Sequence, residues 1–225
     1  MLNLNFHLKK VSVAIDGPAG AGKSSVAKIV AKELGYVYID TGALYRTIAL
    51  HVLQCNKSIK EALNTIDLQI RIEDGKQKIL LFGNDIRDSI RTAEVTSAAS
   101  KLSAISEVRE FLLEFQQKFA QTYNVVMDGR DIGTTVLPNA TVKIFLTASA
   151  QVRAKRRYIE LCNETVTYDQ VLHDIEERDH RDMTREISPL VQAPDAFLMD
   201  TSNMTFDEVV LAVLKIIRKR VENQA

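Results

Sequence analysis

The stretch that decides the fold is VSVAIDGPAGAGKSSVAKIVAKEL, residues 11–34. Its apolar start predicts a buried strand, and the segment from Ser24 onward predicts a helix. Between the two, residues 17–24 match the pattern G-x-x-x-x-G-K-[ST]. The glycines of such a loop let consecutive backbone N–H groups turn toward an anion, and the following helix adds its positive end. The stretch therefore predicts a site for a nucleoside triphosphate.

Within this loop, Lys23 is expected to reach the β- and γ-phosphates, and the Ser24 hydroxyl is expected to hold Mg²⁺. The loop residues predicted to bind the nucleotide are Gly17, Pro18, Ala19, Gly20, Ala21, Gly22, Lys23, Ser24 and Ser25. GTPases, motors, synthetases and kinases all share such a loop. The only Asn-Lys pair, in NKSI, lacks the aspartate of a GTPase base-reading motif, and motors usually need a longer chain. A small kinase is favoured, and it needs a second site for its acceptor.

Four more apolar runs, at 36–39, 124–127, 142–146 and 196–199, contain β-branched and aromatic residues and do not alternate cleanly. Continuous apolar runs are typical of strands buried on both faces of a parallel sheet. Helical segments lie between them, so the chain is predicted to be an α/β domain in which helices flank a five-stranded parallel sheet. Aspartate follows four of the five runs, at the strand ends where open α/β sheets bind ligands.

One segment, from about residue 67 to residue 90, alternates between apolar and polar residues and contains the turn EDGK. This pattern predicts a small antiparallel sheet. We place it in an insertion of about residues 64–96 within a single domain that spans residues 1–225. The sequence has no Pro/Gly-rich linker or repeat that would divide the chain.

Composition narrows the class of protein further. The 29 basic residues balance 29 acidic ones, which argues against binding a nucleic-acid polymer. Cys55 and Cys162 lack C-x-x-C spacing, so we expect reduced thiols rather than a metal or redox pair. The N-terminal residues do not resemble a signal peptide, and no apolar run is long enough for a membrane helix. A cytoplasmic location, no membrane partner and a monomer are therefore predicted.

Three clusters are candidates for the acceptor site: DTGALYR at 40–46, DGRDIG at 128–133 and ERDHRDMTR at 177–185. An N-cap with a solvated arginine would also explain the first, and a salt-bridged, solvated helix face would explain the third. In the third, one helix face is predicted to carry Arg178, Arg181, Asp182 and Arg185. Together with the basic group RAKRR at 153–157, this face predicts a mobile arginine lid over about residues 153–187. Such a lid would supply positive charge and exclude water during phosphoryl transfer.

With these motifs, the sequence resembles the bacterial cytidylate kinase (CMP kinase) family of the nucleoside monophosphate kinase superfamily. The resemblance covers about residues 11–215, and its most specific blocks are DGRDIGTTVLPNATVKIFLTAS and IRTAEVTSAASKLSAISEVRE. It implies a P-loop kinase that catalyses ATP + (d)CMP ⇌ ADP + (d)CDP with Mg²⁺. It also implies that the antiparallel insertion binds the acceptor and that the lid is helical.

The same resemblance implies roles for individual residues. Those implied to read the cytosine are Ser100, Arg109 and Asp131. Those implied to hold the acceptor phosphate are Arg46, Arg130 and Arg178, and those implied to orient the sugar are Asp182 and Arg185. Thr41 is also placed in the acceptor site. The catalytic set is Lys23, Arg130, Arg178, Arg181 and Arg185.

Two positions depart from the family pattern, which often has Ser at position 41 and Gly at position 24. Thr41 keeps a hydroxyl, and Ser24 favours a direct Mg²⁺ ligand. No function is assigned to the residues before Val11. Two alternatives stay open: a kinase of the same fold for UMP or shikimate, and a catalytically silent nucleotide-binding module. A uracil carbonyl facing the Asp131 carboxylate speaks against UMP, and the intact Lys23 and lid arginines speak against the silent module.

Overall fold

The structure, a computed structural model, describes residues 10–55, 57–161 and 166–223. Residues 1–9 and Cys162, for which the sequence made predictions, lie outside these ranges. The strands are β1 Ser12–Asp16, β2 Val37–Asp40, β3 Leu68–Glu73, β4 Lys76–Leu81, β5 Asn84–Asp85, β6 Val125–Gly129, β7 Val142–Thr147 and β8 Phe197–Asp200. The α-helices are α1 Lys23–Leu34, α2 Thr41–Cys55, α3 Ile59–Thr65, α4 Ala93–Leu102, α5 Ser106–Thr122, α6 Ala150–Leu161, α7 Tyr168–Thr184 and α8 Phe206–Glu222.

The five predicted strands are confirmed as a parallel sheet in the order β2-β6-β1-β7-β8. The central strand β1 is buried along its whole length, and its Ile15 pairs with Asp128 on one side and Ile144 on the other. A strand with neighbours and helices on every side has no exposed face, which explains its continuous apolar sequence. The carboxyl ends of β1, β2 and β6 therefore lie side by side.

Alternate side chains of β1 enter different parts of the core. Val13 and Ile15 pack in a cluster with residues of α1 and α8, whereas Ala14 packs in a cluster with Met127 and Ile132. A third cluster joins α2, α4 and α5 to the strands of the insertion. These packed layers hold the loops that follow β1, β2 and β6. Among the described helices, none combines the length and the hydropathy needed to cross a membrane.

The predicted antiparallel strands are present, and the structure shows in addition that they join the edge of the parallel sheet. Strands β3 and β4 pair antiparallel around a turn with left-handed Asp74 and Gly75, and β5 pairs with β4. At that turn the Tyr38 N–H donates to the Gly75 carbonyl, and Lys76 lies in register with Tyr38. The hairpin thereby covers the outer edge of β2, whose backbone groups would otherwise lack strand partners. In the described residues, the sheet has eight strands.

Two helices, α6 and α7, occupy most of the segment predicted as a lid. They pack on each other through Ala154, Val171 and Ile175, which form a small apolar cluster of their own. The cluster is distinct from the three that surround the sheet. The two helices therefore have the internal packing expected of a unit that can move as one body.

Candidate active site

The loop between β1 and α1 has the backbone of an anion-binding loop. Gly17, Gly20 and Gly22 all have positive φ, and Gly22 caps α1. A Cβ atom at Gly17 would lie 1.9 Å from the Leu146 carbonyl oxygen of β7, so only glycine fits against that strand. The left-handed residues and the helix N-terminus together form a concave site for phosphate oxygens.

Lys23 lies buried at the start of α1, and its Nζ donates to the Pro18 carbonyl at 2.6 Å. Its pKa is lowered well below the usual value, first by burial and then by the positive charge of Arg130. Arg178 acts in the same direction, while Asp128 and Asp16 oppose it. The ammonium group thus lies among other cations, an arrangement that an added phosphate would stabilise.

Ser24 is tied to the end of β6. Its hydroxyl donates to Asp128 at 2.6 Å, and the Tyr38 hydroxyl donates to the other oxygen of the same carboxylate at 2.8 Å. Burial, followed by the charge of Asp40, raises the pKa of Asp128. Asp128 belongs to the predicted DGRDIG cluster and directly follows an apolar run, but no individual role was assigned to it from the sequence. Hard oxygen donors of this kind suit Mg²⁺.

The second β-strand leads into α2 through Asp40 and Thr41. Asp40 accepts the Ala43 N–H at 2.8 Å and pairs with Arg46 at 3.1 Å. The Thr41 hydroxyl donates to the Asp128 carbonyl at 2.6 Å. The N-cap interpretation is therefore correct for Asp40, but Arg46 is held by that cap rather than solvated. The Arg46 Nε is buried and has no hydrogen-bond partner among the described residues.

Three arginines converge beside the phosphate loop. Arg130 donates through Nε to Asp182 at 2.8 Å, which joins the loop after β6 to α7. Burial, and then the charge of Arg130, lowers the pKa of Arg178 to about 10, with Arg46 adding to the effect. The buried Nε of Arg178 also lacks a hydrogen-bond partner within the described ranges. Buried guanidinium groups with unused donors are suited to an anion such as phosphate.

A second buried ion pair involves Asp131, the residue after Arg130. Arg109 of α5 contacts Asp131, and Arg185 approaches the other oxygen of Asp131 at 3.7 Å. Burial raises the pKa of Asp131, and the charges of Arg109 and Arg185 oppose that rise. The Arg109 guanidinium also lies 5.7 Å from the centre of the Tyr45 ring. The cluster thus contains a carboxylate and guanidinium groups, whose acceptors and donors suit a planar, polar ring.

Ser103 links the last predicted residues to this pair. Its carbonyl accepts from Arg109 at 2.9 Å, and its hydroxyl accepts from Arg185 at 3.2 Å and donates to the Ser100 carbonyl at 2.8 Å. The Ser100 hydroxyl oxygen is buried, with no hydrogen-bond partner in the part of the chain that the structure describes. It therefore remains free to contact a ligand in the cleft.

The predicted arginine face of α7 is only partly correct. The helix ends at Thr184, and Arg185 follows in an extended conformation that turns it toward Asp131. Arg178 and Asp182 do face the cleft, whereas Arg181 is exposed and lies outside the buried cluster. The 3.6-residue period could not indicate where the helix stops, because no glycine or proline marks its end.

The sequence of this chain matches one known protein family. The family model described as cytidylate kinase matches residues 13–219. The chain is 50% identical over 225 residues to the cytidylate kinase of Caldicellulosiruptor bescii, covering 96% of this chain and 100% of that one. It is 48% identical over 228 residues to the cytidylate kinase of Lactobacillus gasseri, covering 98% of each.

Solved structures with lower identity share the fold. A protein from Eubacterium ventriosum superposes with a TM-score of 0.54 at 15% identity, covering 93% of this chain and 99% of that chain. A gluconokinase from Sinorhizobium meliloti superposes with a TM-score of 0.50 at 18% identity, covering 96% of each chain. The family match over nearly the whole chain, on a fold that brings the motif residues into one cleft, shows that this chain belongs to the cytidylate kinase family.

Proposed function

We propose that this protein transfers the terminal phosphoryl group of ATP to the phosphate of CMP or dCMP, giving ADP and CDP or dCDP. The observation that carries the proposal is that the phosphate loop and the arginine cluster lie near each other, because Ser24 donates to Asp128, two residues before Arg130. Arg130 and Arg178 lie close enough to Lys23 to lower its pKa further after burial. The phosphate loop and the arginine cluster thus face one shared space, where a donor and an acceptor phosphate would meet.

At the donor end, the loop from Gly17 to Ser25 would bind the triphosphate through backbone N–H groups. Lys23 would contact the β- and γ-phosphates, and its depressed pKa would rise again beside them. At the acceptor end, Arg46, Arg130 and Arg178 would hold the monophosphate. Their charges would also stabilise the negative charge on the transferred group, which phosphoryl transfer requires.

Selection of the base would depend on Asp131 and Arg109. The cytosine amino group is a donor that Asp131 would accept, and the ring nitrogen and carbonyl oxygen are acceptors for Arg109 and the Ser100 hydroxyl. Uracil has a carbonyl in place of the amino group, which would leave a buried carboxylate facing an oxygen. Arg185 and Asp182 would contact the sugar from the end of α7.

Mg²⁺ fits the oxygen donors at the end of β6. The Ser24 hydroxyl and the Asp128 carboxylate lie next to each other and would hold the ion. Among the described residues, no cluster of three or more His, Cys, Asp or Glu side chains could bind a metal, so its remaining ligands would be phosphate oxygens and water. When bound, Mg²⁺ supplies positive charge against the phosphate oxygens.

The segment from about residue 153 to residue 187 would act as the lid and exclude water. The proposed catalytic role of Arg181 requires a lid position other than the described one, because its side chain is exposed. The insertion of about residues 64–96 would shape the acceptor side. A cytoplasmic, monomeric enzyme without a nucleic-acid or membrane partner remains our prediction, supported by balanced charge and by its small-molecule substrates.

The deciding experiment is a coupled assay of ADP release with Mg-ATP and, separately, CMP, dCMP, UMP, AMP and shikimate. We expect the highest kcat/KM with CMP or dCMP. Faster turnover of UMP or shikimate would favour the alternative acceptor, and no release with any acceptor would favour a silent nucleotide-binding module. Lys23→Ala distinguishes true transfer from contaminating activity, because it should abolish the signal.

A further inference from the structure

Side chains from both lid helices form hydrogen bonds with the phosphate loop at Ala19. Arg153 of α6 donates through Nη1 to the Ala19 carbonyl at 2.9 Å. Asp179 of α7 accepts the Ala19 N–H at 3.3 Å. The two side chains also pair with each other at 2.6 Å. Every backbone polar group of Ala19 is thus bound by a charged side chain from the segment proposed as the lid.

The pair is too buried to be explained as a surface ion pair. The side chains of Arg153 and Asp179 are 6% and 11% exposed. Removing two charges from water is costly, and a buried ion pair is therefore weak evidence for a stabilising role. Arg153 also packs against the loop, because a Cβ atom on Gly20 would lie 3.3 Å from the Arg153 Cβ. Arg153 also donates through Nε to the Ala148 carbonyl at 2.8 Å, which fixes its side chain at the start of α6.

We propose that Arg153 and Asp179 are positioning residues that hold Ala19 and thereby set the loop conformation that binds the triphosphate. Because Arg153 and Asp179 come from different lid helices, ATP affinity then depends on the packing of α6 on α7. The effect on KM rests on the proposed function, but the effect on ATP binding can be measured without an acceptor. Neither residue belongs to the cluster around Asp131, so the acceptor site should be unaffected.

The first test is Asp179→Asn, which removes the charge, compared with Glu177→Gln as a matched control. Glu177 is an exposed carboxylate on the same helix. Loss of a charge-assisted hydrogen bond is expected to raise KM for ATP about tenfold or more. KM for CMP should change less than about twofold in both variants, and Glu177→Gln should keep the KM for ATP. An equal rise in both KM values, or an unchanged KM for ATP, would overturn the proposal.

Direct binding separates this inference from the proposed reaction. Calorimetric titration with a non-hydrolysable ATP analogue should show the same loss of affinity in Asp179→Asn, whichever acceptor the enzyme uses. Thermal unfolding of the unliganded variant checks that the protein used in the titration is folded. If the folded variant binds the analogue as tightly as the wild type, the positioning role is wrong, even if the kinase assay succeeds.

The double variant Arg153→Asp/Asp179→Arg distinguishes positioning from helix pairing. It restores an ion pair between α6 and α7, but it turns a guanidinium toward the Ala19 N–H and a carboxylate toward the carbonyl. We expect that it does not recover ATP affinity. Recovery to the wild-type value would show that the pair only joins the helices and would overturn the proposal. If the double variant does not fold, the KM for ATP and the calorimetric affinity of Asp179→Asn decide.

Discussion

Arg109 and Asp131 form an ion pair whose side chains are only 8% and 6% exposed, between α5 and the loop that follows β6. Each group compensates the charge of the other where both side chains are largely shielded from water. Arg185 adds a second positive charge on the other side of the carboxylate. The pair therefore presents hydrogen-bond donors and an acceptor in fixed positions, which can select one base over another.

Asp131→Ala should reduce discrimination between cytosine and uracil. We expect the ratio of kcat/KM for CMP to that for UMP to fall about tenfold or more, because the acceptor for the amino group is lost. Steady-state kinetics with both nucleotides measure the ratio. Asp174→Ala, at an exposed position of α7, is the control and should keep the wild-type ratio. An equal loss for CMP and UMP would contradict the assignment of Asp131 to the base.

Lys23→Ala should lower kcat/KM by about 100-fold or more, because a buried positive charge that stabilises the transferred phosphoryl group is removed. Lys32→Ala changes an exposed lysine of the same helix and should have little effect. ADP release with ATP and CMP is the measurement. Near wild-type transfer by a folded Lys23→Ala enzyme would show that the loop lysine does not act on the phosphates.

Tyr38→Phe should change the Mg²⁺ requirement. The variant removes one of the two hydroxyl hydrogen bonds to Asp128 and leaves the ring in place. Loss of a hydrogen bond to a metal-binding carboxylate typically weakens metal binding 10- to 100-fold, so we expect the half-saturating Mg²⁺ concentration to rise about tenfold. Tyr36→Phe, two residues earlier, is the control. Identical Mg²⁺ titrations for wild type and Tyr38→Phe would exclude a role for Asp128 in holding the ion.

Asp16 should make stability depend on pH. Burial raises its pKa to about 6, although it accepts N–H bonds from Gly133 and Ile132. The folded state therefore holds a proton that the unfolded state has already released above pH 3.8. This contribution to the free energy of unfolding is complete below that pH, and it is lost as the pH rises through about 6. The predicted loss is about 3 kcal/mol.

The measurement for Asp16 is urea unfolding of the wild type and Asp16→Asn from pH 4 to pH 7. Asparagine cannot titrate, so the difference between the two curves isolates Asp16 from the other carboxyl groups. We expect the wild type to lose stability relative to the variant across this range. A difference that is constant with pH, or that changes in the opposite direction, would refute the raised pKa.

Much of the fold was readable from local patterns. The loop from Gly17 to Ser24, the five apolar strands and the turn at Asp74 and Gly75 all depend on neighbours within a few residues. Backbone conformations and side-chain periods of this kind are encoded locally. The family blocks added predictions for the acceptor residues, and these assignments are still proposals. The end of α7 was not readable, because Arg185 leaves the helix without a glycine or proline to mark the change.

By itself, the sequence determined the phosphate loop, the parallel α/β architecture and the residue types of a kinase for a cytosine nucleotide. Only the tertiary structure decided that Ser24 meets Asp128, 104 residues away, and that Ala19 meets Asp179, 160 residues away. It also decided that the antiparallel hairpin extends the main sheet at Tyr38. Such contacts depend on strand order and on how helices pack across the sheet, which no local period specifies.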